Sequence, residues 1–104
     1  MKVIPSEITY KLIQKVLPIW GKYFLTVGIK TVRSPVFDYK YIQKFIEKIK
    51  YDFNVYNITN YFDFEIIYVK PTDKLDKRCM LEVNFTNKES YEKIETILRL
   101  KGLI

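Results

Sequence analysis

The stretch DYKYIQKFIEKIKYDF, residues 38–53, carries the clearest secondary-structure signal in the chain. Its apolar residues recur every three or four positions, as they do in a helix with one buried face. The residues on this face are Ile42, Phe45, Ile46, Ile49 and Phe53. Asp38 and Ser34 are both candidate N-caps, and we favour Asp38, which directly precedes the predicted helix. The sequence therefore predicts a helix over residues 39–53, which Asn54 ends.

Two strands are predicted after this helix. Residues 61–69 are rich in β-branched and aromatic side chains, and those at 62, 64, 66 and 68 share one face. A polar loop over residues 71–77 separates them from a second alternating run at 79–85. Two such runs joined by a short polar loop are typical of a hairpin.

A further strand is predicted before the helix, over residues 23–30. Its odd-numbered residues are apolar, which predicts that they face the core and leaves Phe24, Thr26 and Lys30 on the open face. Gly28 indicates a bulge or a close backbone approach, and Ser34-Pro35 ends the strand.

Helices are predicted at both ends of the chain. Ser6 is the expected N-cap of the first, and Pro18 and Gly21 end it. The last helix is predicted over residues 87–100, after a capping box formed by Thr86 and Glu89, with Gly102 as its C-terminal cap.

The predicted order of elements is α-β-α-β-β-α in a single domain, residues 1–104. After the first helix, this is an α+β arrangement of the ferredoxin-like, split βαβ type that lacks its last strand. We expect a small antiparallel sheet of three strands with the helices packed on one face. Such a sheet keeps an open edge, so we also expect a homodimer.

The composition argues against catalysis. The chain has no histidine, the commonest general base and metal ligand. Its single cysteine, Cys79, lies in an apolar strand, where a small buried side chain is expected. Asp63 and Glu65 share a strand face that could hold Mg²⁺, although solvent-facing acids commonly show the same spacing. We predict a non-enzymatic protein without metal or cofactor.

The chain also lacks the apolar segments of membrane and secreted proteins. No apolar run approaches the length of a membrane span, and charged residues interrupt the N-terminal region where a signal peptide would lie. We therefore expect an intracellular, cytoplasmic protein without a membrane partner. The abundance of Ile, Lys, Tyr, Asn and Phe is typical of AT-rich genomes, including those of some archaea and viruses.

Positive charge is concentrated in the first half of the chain. Residues 1–50 carry ten Lys and Arg against three acids, whereas residues 51–104 carry eight against nine. The net charge of +6 therefore comes from the first half. Such asymmetry favours an anionic partner, of which nucleic acid is the commonest.

The strongest candidate site is a row of lysines on the helix at 39–53. Lys40, Lys44 and Lys48 recur every four residues on the side opposite the apolar face. Lysines in such a row can neutralise phosphates, although a row of this kind can also be only a solvated surface. The other lysines that we assign to the site are Lys50, Lys11 and Lys15. We expect weakly specific binding, because lysine contacts to phosphates position a duplex without reading its sequence.

An alternative is a protein–protein interaction module, an adaptor or inhibitor that uses an aromatic surface or a sheet edge. Tyrosine-rich surfaces suit protein interfaces, and the basic charge would then attract an acidic partner protein. The anchors in this interpretation are Tyr39, Tyr41, Tyr51, Phe24 and Tyr61. The predicted sheet face disfavours binding of RNA there, because Asp63, Glu65 and Glu82 would repel phosphate.

Overall fold

Three helices and a five-stranded antiparallel sheet form the part of the chain that this computed structural model describes, residues 4–86 and 91–103. The fold is α+β, as predicted. In chain order the elements are α1 (Pro5–Val16), β1 (Leu25–Val27), β2 (Thr31–Arg33), β3 (Phe37–Asp38), α2 (Tyr39–Val55), β4 (Phe62–Tyr68), β5 (Arg78–Phe85) and α3 (Tyr91–Leu100). Short 3₁₀ turns precede β1 and β4.

β5 is the central strand of the sheet. β4 pairs along one of its edges, β2 and β3 pair along the other, and β1 lies outside β2. Because β3 and β4 are both antiparallel to β5, they run parallel to each other, and α2 is the helix that connects them. This is a split βαβ unit, as predicted, but its first strand is β3 and not the strand predicted over residues 23–30, and the sheet has five strands instead of the expected three.

The helices cover one face of the sheet. On β5 the odd-numbered residues from Cys79 to Phe85 are buried, whereas Glu82 and its even-numbered neighbours are only half-buried. On β4, Phe62 packs in the same buried layer, with its ring centroid 5.0 Å from that of Phe85. The helical side chains that complete this core are Ile8, Leu12 and Ile13 from α1, Ile42, Phe45, Ile49 and Phe53 from α2, and Ile94 and Leu98 from α3.

The region predicted as one strand over residues 23–30 is a hairpin. β1 ends at Val27, Gly28 turns the chain with φ of +66°, and β2 begins at Thr31. The predicted faces are also reversed, because Thr26 pairs with Val32, which lies in the core. Phe24 is consequently 1% exposed, whereas Leu25 is 70% exposed. The pairing of β1 with β2, and of β2 with β5, determines which face is buried, rather than the local alternation.

Ser34-Pro35 interrupts the edge beside β5 without ending it. β2 stops at Arg33, and the chain resumes its pairing to β5 two residues after the proline, at β3. Across the gap the N–H of Ser34 donates to the Leu81 carbonyl, and the Ser34 Oγ accepts from the Leu81 N–H, both at 2.8 Å. The side chain of Ser34 thus replaces a backbone acceptor in the ladder.

Ser6 is not the N-cap of α1, contrary to the prediction. The helix begins at Pro5, a residue well suited to the first helical position, and Ile4 occupies the N-cap. Ser6 is buried instead, and its Oγ donates to the Gly28 carbonyl at 3.0 Å. Its backbone N–H donates to the Ile29 carbonyl at 2.7 Å, so this serine ties α1 to the β1–β2 turn.

The caps of α2 and α3 follow the predictions as far as they are described. Asp38 caps α2 through the Lys40 N–H at 3.2 Å, and the helix extends two residues beyond the predicted end. Gly102 ends α3 with φ of +71°, and the Leu103 N–H donates to the Leu98 carbonyl at 2.9 Å. The predicted capping box of Thr86 and Glu89 lies partly outside the described residues. Over the described ranges, no helix has the length and apolar character needed to span a membrane.

Candidate nucleic-acid interface on the helical side

The predicted row of lysines on α2 is exposed along its whole length. Lys40, Lys44 and Lys48 lie on solvent, and the core is on the opposite side of the helix at Ile42 and Ile49. The four-residue spacing places successive lysines one turn apart on the same side of the helix. Three ammonium groups therefore project outward from one surface of α2.

The charges of this row are only partly neutralised by the protein. Lys48 Nζ lies 3.3 Å from Asp52 Oδ1, in an exposed pair of the kind that contributes little to stability. Within residues 4–86 and 91–103, neither Lys40 nor Lys44 has a carboxylate at ion-pairing distance. Lys40 Nζ lies 5.3 Å from the centroid of the Tyr41 ring. Two of the three lysines thus remain available to an external anion.

Lys50 does not belong to this row. It follows Lys48 by two residues, which is about 200° around a helix. Its Nζ lies 5.3 Å from the ring centroid of Phe64 on β4, on the other flank of α2. The structure therefore separates Lys50 from the site to which it was assigned.

One lysine of α1, Lys15, lies near the C-terminal part of α2. Lys11 and Lys15 are exposed and one turn apart, and Lys15 Nζ donates to the Gly102 carbonyl at 3.0 Å. Lys15 and Asp52 line the same cleft, of about 160 Å³, between α1, α2 and the segment after α3. Because Asp52 is also the partner of Lys48, the cleft connects the lysines of the two helices.

Sequence reasoning missed a cluster of aromatic side chains beside this basic surface. The ring of Trp20 lies 5.6 Å from that of Phe37 and 6.5 Å from that of Phe45 on α2. Tyr23 lies 6.3 Å from Trp20 on the outer side of the cluster. In the sequence, only Lys22, which lies between Trp20 and Tyr23, could have indicated a surface position for this cluster. The contact of Trp20 with Phe45 joins residues more than twenty positions apart, so local patterns could not predict it.

The open face of the sheet has a different character. Asp63 and Glu65 are exposed there, and Glu82 accepts a hydrogen bond from Arg33 Nε at 2.8 Å. The predicted acidic residues therefore lie on this face. Phe24 does not, contrary to the prediction, because it is in the core. Arg33 is also committed to the sheet, so it adds nothing to the basic helical surface.

The groups with perturbed pKa values are accounted for by local contacts. Hydrogen bonds from the side chain and backbone N–H of Arg78 lower the pKa of Asp76 from 3.8 to about 2. Burial, with a smaller contribution from the Asp38 charge, raises the pKa of the Cys79 thiol, as expected of a structural cysteine. Among the described residues, no three His, Cys, Asp or Glu side chains cluster closely enough to hold a metal ion.

Comparison with known proteins identifies no relative of this chain. No protein-family model matches the chain, and no curated protein or solved structure shows significant similarity to it.

Proposed function

We propose that this chain is a non-enzymatic, cytoplasmic protein that binds nucleic acid through the basic face of α1 and α2. The observation that carries the proposal is the exposed row of Lys40, Lys44 and Lys48, with Lys15 across the adjoining cleft. The protein binds phosphates by charge and with little sequence preference, because lysine supplies a point charge without the bidentate geometry that reads guanine.

Salt dependence tests this proposal. Each phosphate contact contributes about 0.9 to the slope of log affinity against log salt on duplex DNA. Four contacts would therefore weaken binding roughly 100-fold between about 50 and about 200 mM salt. We expect that loss in fluorescence anisotropy titrations of labelled duplex DNA, single-stranded DNA and RNA.

A charge-matched pair of variants locates the site. Replacing the row, as Lys40→Glu/Lys44→Glu/Lys48→Glu, should abolish most binding and lower the salt slope by about 2 to 3. The control replaces three exposed lysines elsewhere, as Lys70→Glu/Lys74→Glu/Lys93→Glu, for the same change in net charge. Equal losses in both variants would show that only net charge matters, and an absence of binding by wild type would reject the proposal.

The exposed hairpin favours a second candidate function, a protein-interaction module. Leu25 is 70% exposed and Ile29 66%, and β1 has a strand partner on one side only among the described residues. Apolar side chains beside a free strand edge are typical of protein-binding surfaces. Phe24 is not available as an anchor, because it is buried. Tyr41 and Tyr51 are exposed, as that interpretation requires.

Different variants separate the two functions. A protein partner held by the hairpin should be lost from Leu25→Lys/Ile29→Lys and retained by the variant of the lysine row. Such a complex should also persist at high salt, unlike binding to phosphate.

The proposed homodimer is tested with the same variants by sedimentation equilibrium. A monomer at all accessible concentrations would reject the dimer.

A further inference from the structure

Three partly exposed aromatic side chains, Trp20, Tyr23 and Tyr41, lie on or beside α2, and we call them the aromatic platform. Tyr41 directly follows Lys40 on the helix, whereas Trp20 packs on the flank of α2 at Phe45 and Tyr23 packs on Trp20. About half of each side chain is open to solvent, with exposures of 45%, 53% and 47%. Large aromatic side chains usually bury more of their surface than this in a small domain. The platform therefore offers ring surface that the core of the protein does not use.

The backbone around Trp20 and Tyr23 is held in place by α1 and the residue that follows it, Leu17. Gly21 packs so tightly on that helix that an added Cβ would lie 2.8 Å from Gln14 Cα. The N–H of Gly21 donates to the Leu17 carbonyl at 2.7 Å, and that of Tyr23 donates to the Trp20 carbonyl at 3.0 Å. These contacts form the tight turn that carries Trp20 and Tyr23.

Contacts between rings connect the platform to the lysine row. Trp20 packs against Phe45, which directly follows Lys44 and lies one turn after Tyr41 on α2. Phe45 is 8% exposed and anchors this contact from the core side. Because Phe45 lies about 100° around the helix from Lys44, Trp20 lies on the flank of α2 between its core face and the lysine row.

The stretch of chain that carries Trp20 and Tyr23 contains basic residues and no acidic ones. Residues 8–37 contain five Lys or Arg and no acid. Lys22 Nζ lies 5.2 Å from the ring centroid of Tyr23, and Lys40 Nζ lies 5.3 Å from that of Tyr41. Rings interleaved with cations suit a ligand that alternates flat apolar groups with negative charges.

We infer that the nucleic acid bound by this protein is single-stranded, with its bases stacked on Trp20 and Tyr23 and its phosphates on Lys22, Lys40 and Lys44. The inference rests on the proposed function and specifies its ligand. Stacking on aromatic side chains combined with a basic track is the usual mode of binding single strands without sequence readout. A duplex cannot use the platform, because the faces of its bases are already stacked on each other.

The single tryptophan of the chain makes the test direct. Its intrinsic fluorescence reports only on Trp20, so an oligothymidylate of about 12 nucleotides should quench the emission as it binds. The comparison ligands are a duplex of the same length, an abasic strand with the same number of phosphates, and polyglutamate. We expect quenching by the oligothymidylate and little by the other three.

A pair of tyrosine variants measures the contribution of stacking. Tyr23→Ala should weaken binding of the oligothymidylate about tenfold, since one stacked base is worth about 1–3 kcal/mol. Tyr51→Ala is the control, because Tyr51 is a 68% exposed tyrosine on α2 outside the platform, and it should bind as wild type does. Both side chains are at the surface, so both variants should fold.

The outcomes distinguish the platform from the basic face. Equal affinity for duplex, abasic and single strands without quenching would overturn the platform and leave the lysine row standing. Quenching by polyglutamate as strong as that by the oligothymidylate would overturn it too, because charge alone would then explain the signal. No binding of any nucleic acid would overturn both the platform and the proposed function.

Discussion

Removal of the Ser34 hydroxyl should destabilise the protein far more than an ordinary serine substitution would. Ser34 is buried, and its Oγ accepts the Leu81 N–H at 2.8 Å while donating to the Pro35 carbonyl at the same distance. In Ser34→Ala the N–H of Leu81, in the central strand, loses its acceptor. The Pro35 carbonyl loses the hydroxyl donor of Ser34 as well.

The expected loss of stability follows from the free energy needed to leave a buried polar group without a hydrogen-bond partner. Leaving a buried donor without a partner costs about 1–3 kcal/mol, so we expect the free energy of unfolding to fall by about 2 kcal/mol. For a chain of this length, a loss of that size lowers Tm by roughly 8–16 °C. The urea midpoint should fall by about 1 M, since the slope for small proteins is about 1–3 kcal/mol/M.

Urea and thermal unfolding of Ser34→Ala, followed by circular dichroism, give these quantities. The control is Thr72→Val, which removes the hydroxyl of an exposed residue in the loop between β4 and β5, and it should change stability by less than about 0.5 kcal/mol. Hydrogen exchange at the Leu81 amide should accelerate in Ser34→Ala only. If that variant matches the control in stability, the hydroxyl does not replace a ladder acceptor and the argument is wrong.

Two further predictions concern titratable groups. Hydrogen bonds from Arg78 hold the pKa of Asp76 at about 2 instead of 3.8, so the stabilisation they provide is present above the ordinary value and is lost as pH falls through the lowered one. Asp76→Asn should therefore be slightly less stable than wild type near neutral pH and equal to it in strong acid. Thermal unfolding over an acid pH series checks this, and a constant difference at all pH values would contradict it. The buried Cys79 thiol, whose pKa is raised by burial, should react with a thiol reagent orders of magnitude more slowly in the native protein than in denaturant. Fast reaction in the native state would mean that the strand β5 opens readily.

The elements that the sequence predicted correctly are those whose signal is local. The helix from Asp38 onward and the β4–β5 hairpin each show a period over more than six residues, together with a cap or a polar loop at the boundary. A continuous period that is bounded by a cap or a polar loop predicts both the type of element and its buried face, because the residues that form that face all belong to one element. Gly102 was predictable for the same reason, since a helix end often needs a residue with positive φ.

The N-terminal hairpin was not predictable in this way. Its alternation over residues 23–30 looks like one strand, and the turn at Gly28 becomes visible only when Thr26 is paired with Val32. The register of β1 on β2 then places Leu25 outside, and the preceding Phe24 lies in the core. Ser6 was misassigned for a related reason, because its hydroxyl bonds to Gly28, a residue distant in sequence.

The same distinction between local pattern and tertiary packing applies to the residues of the candidate site. The spacing of Lys40, Lys44 and Lys48 alone determined that they share the exposed side of α2, because helical geometry relates residues four apart. The spacing of Lys50 also separates it from this row, whereas tertiary packing alone decided that its Nζ lies over the ring of Phe64 and that Trp20 packs against α2. Local periodicity determines which residues share a surface of one element. Which elements then lie side by side depends on contacts between residues far apart in the chain, and those are decided by the burial of the shared core.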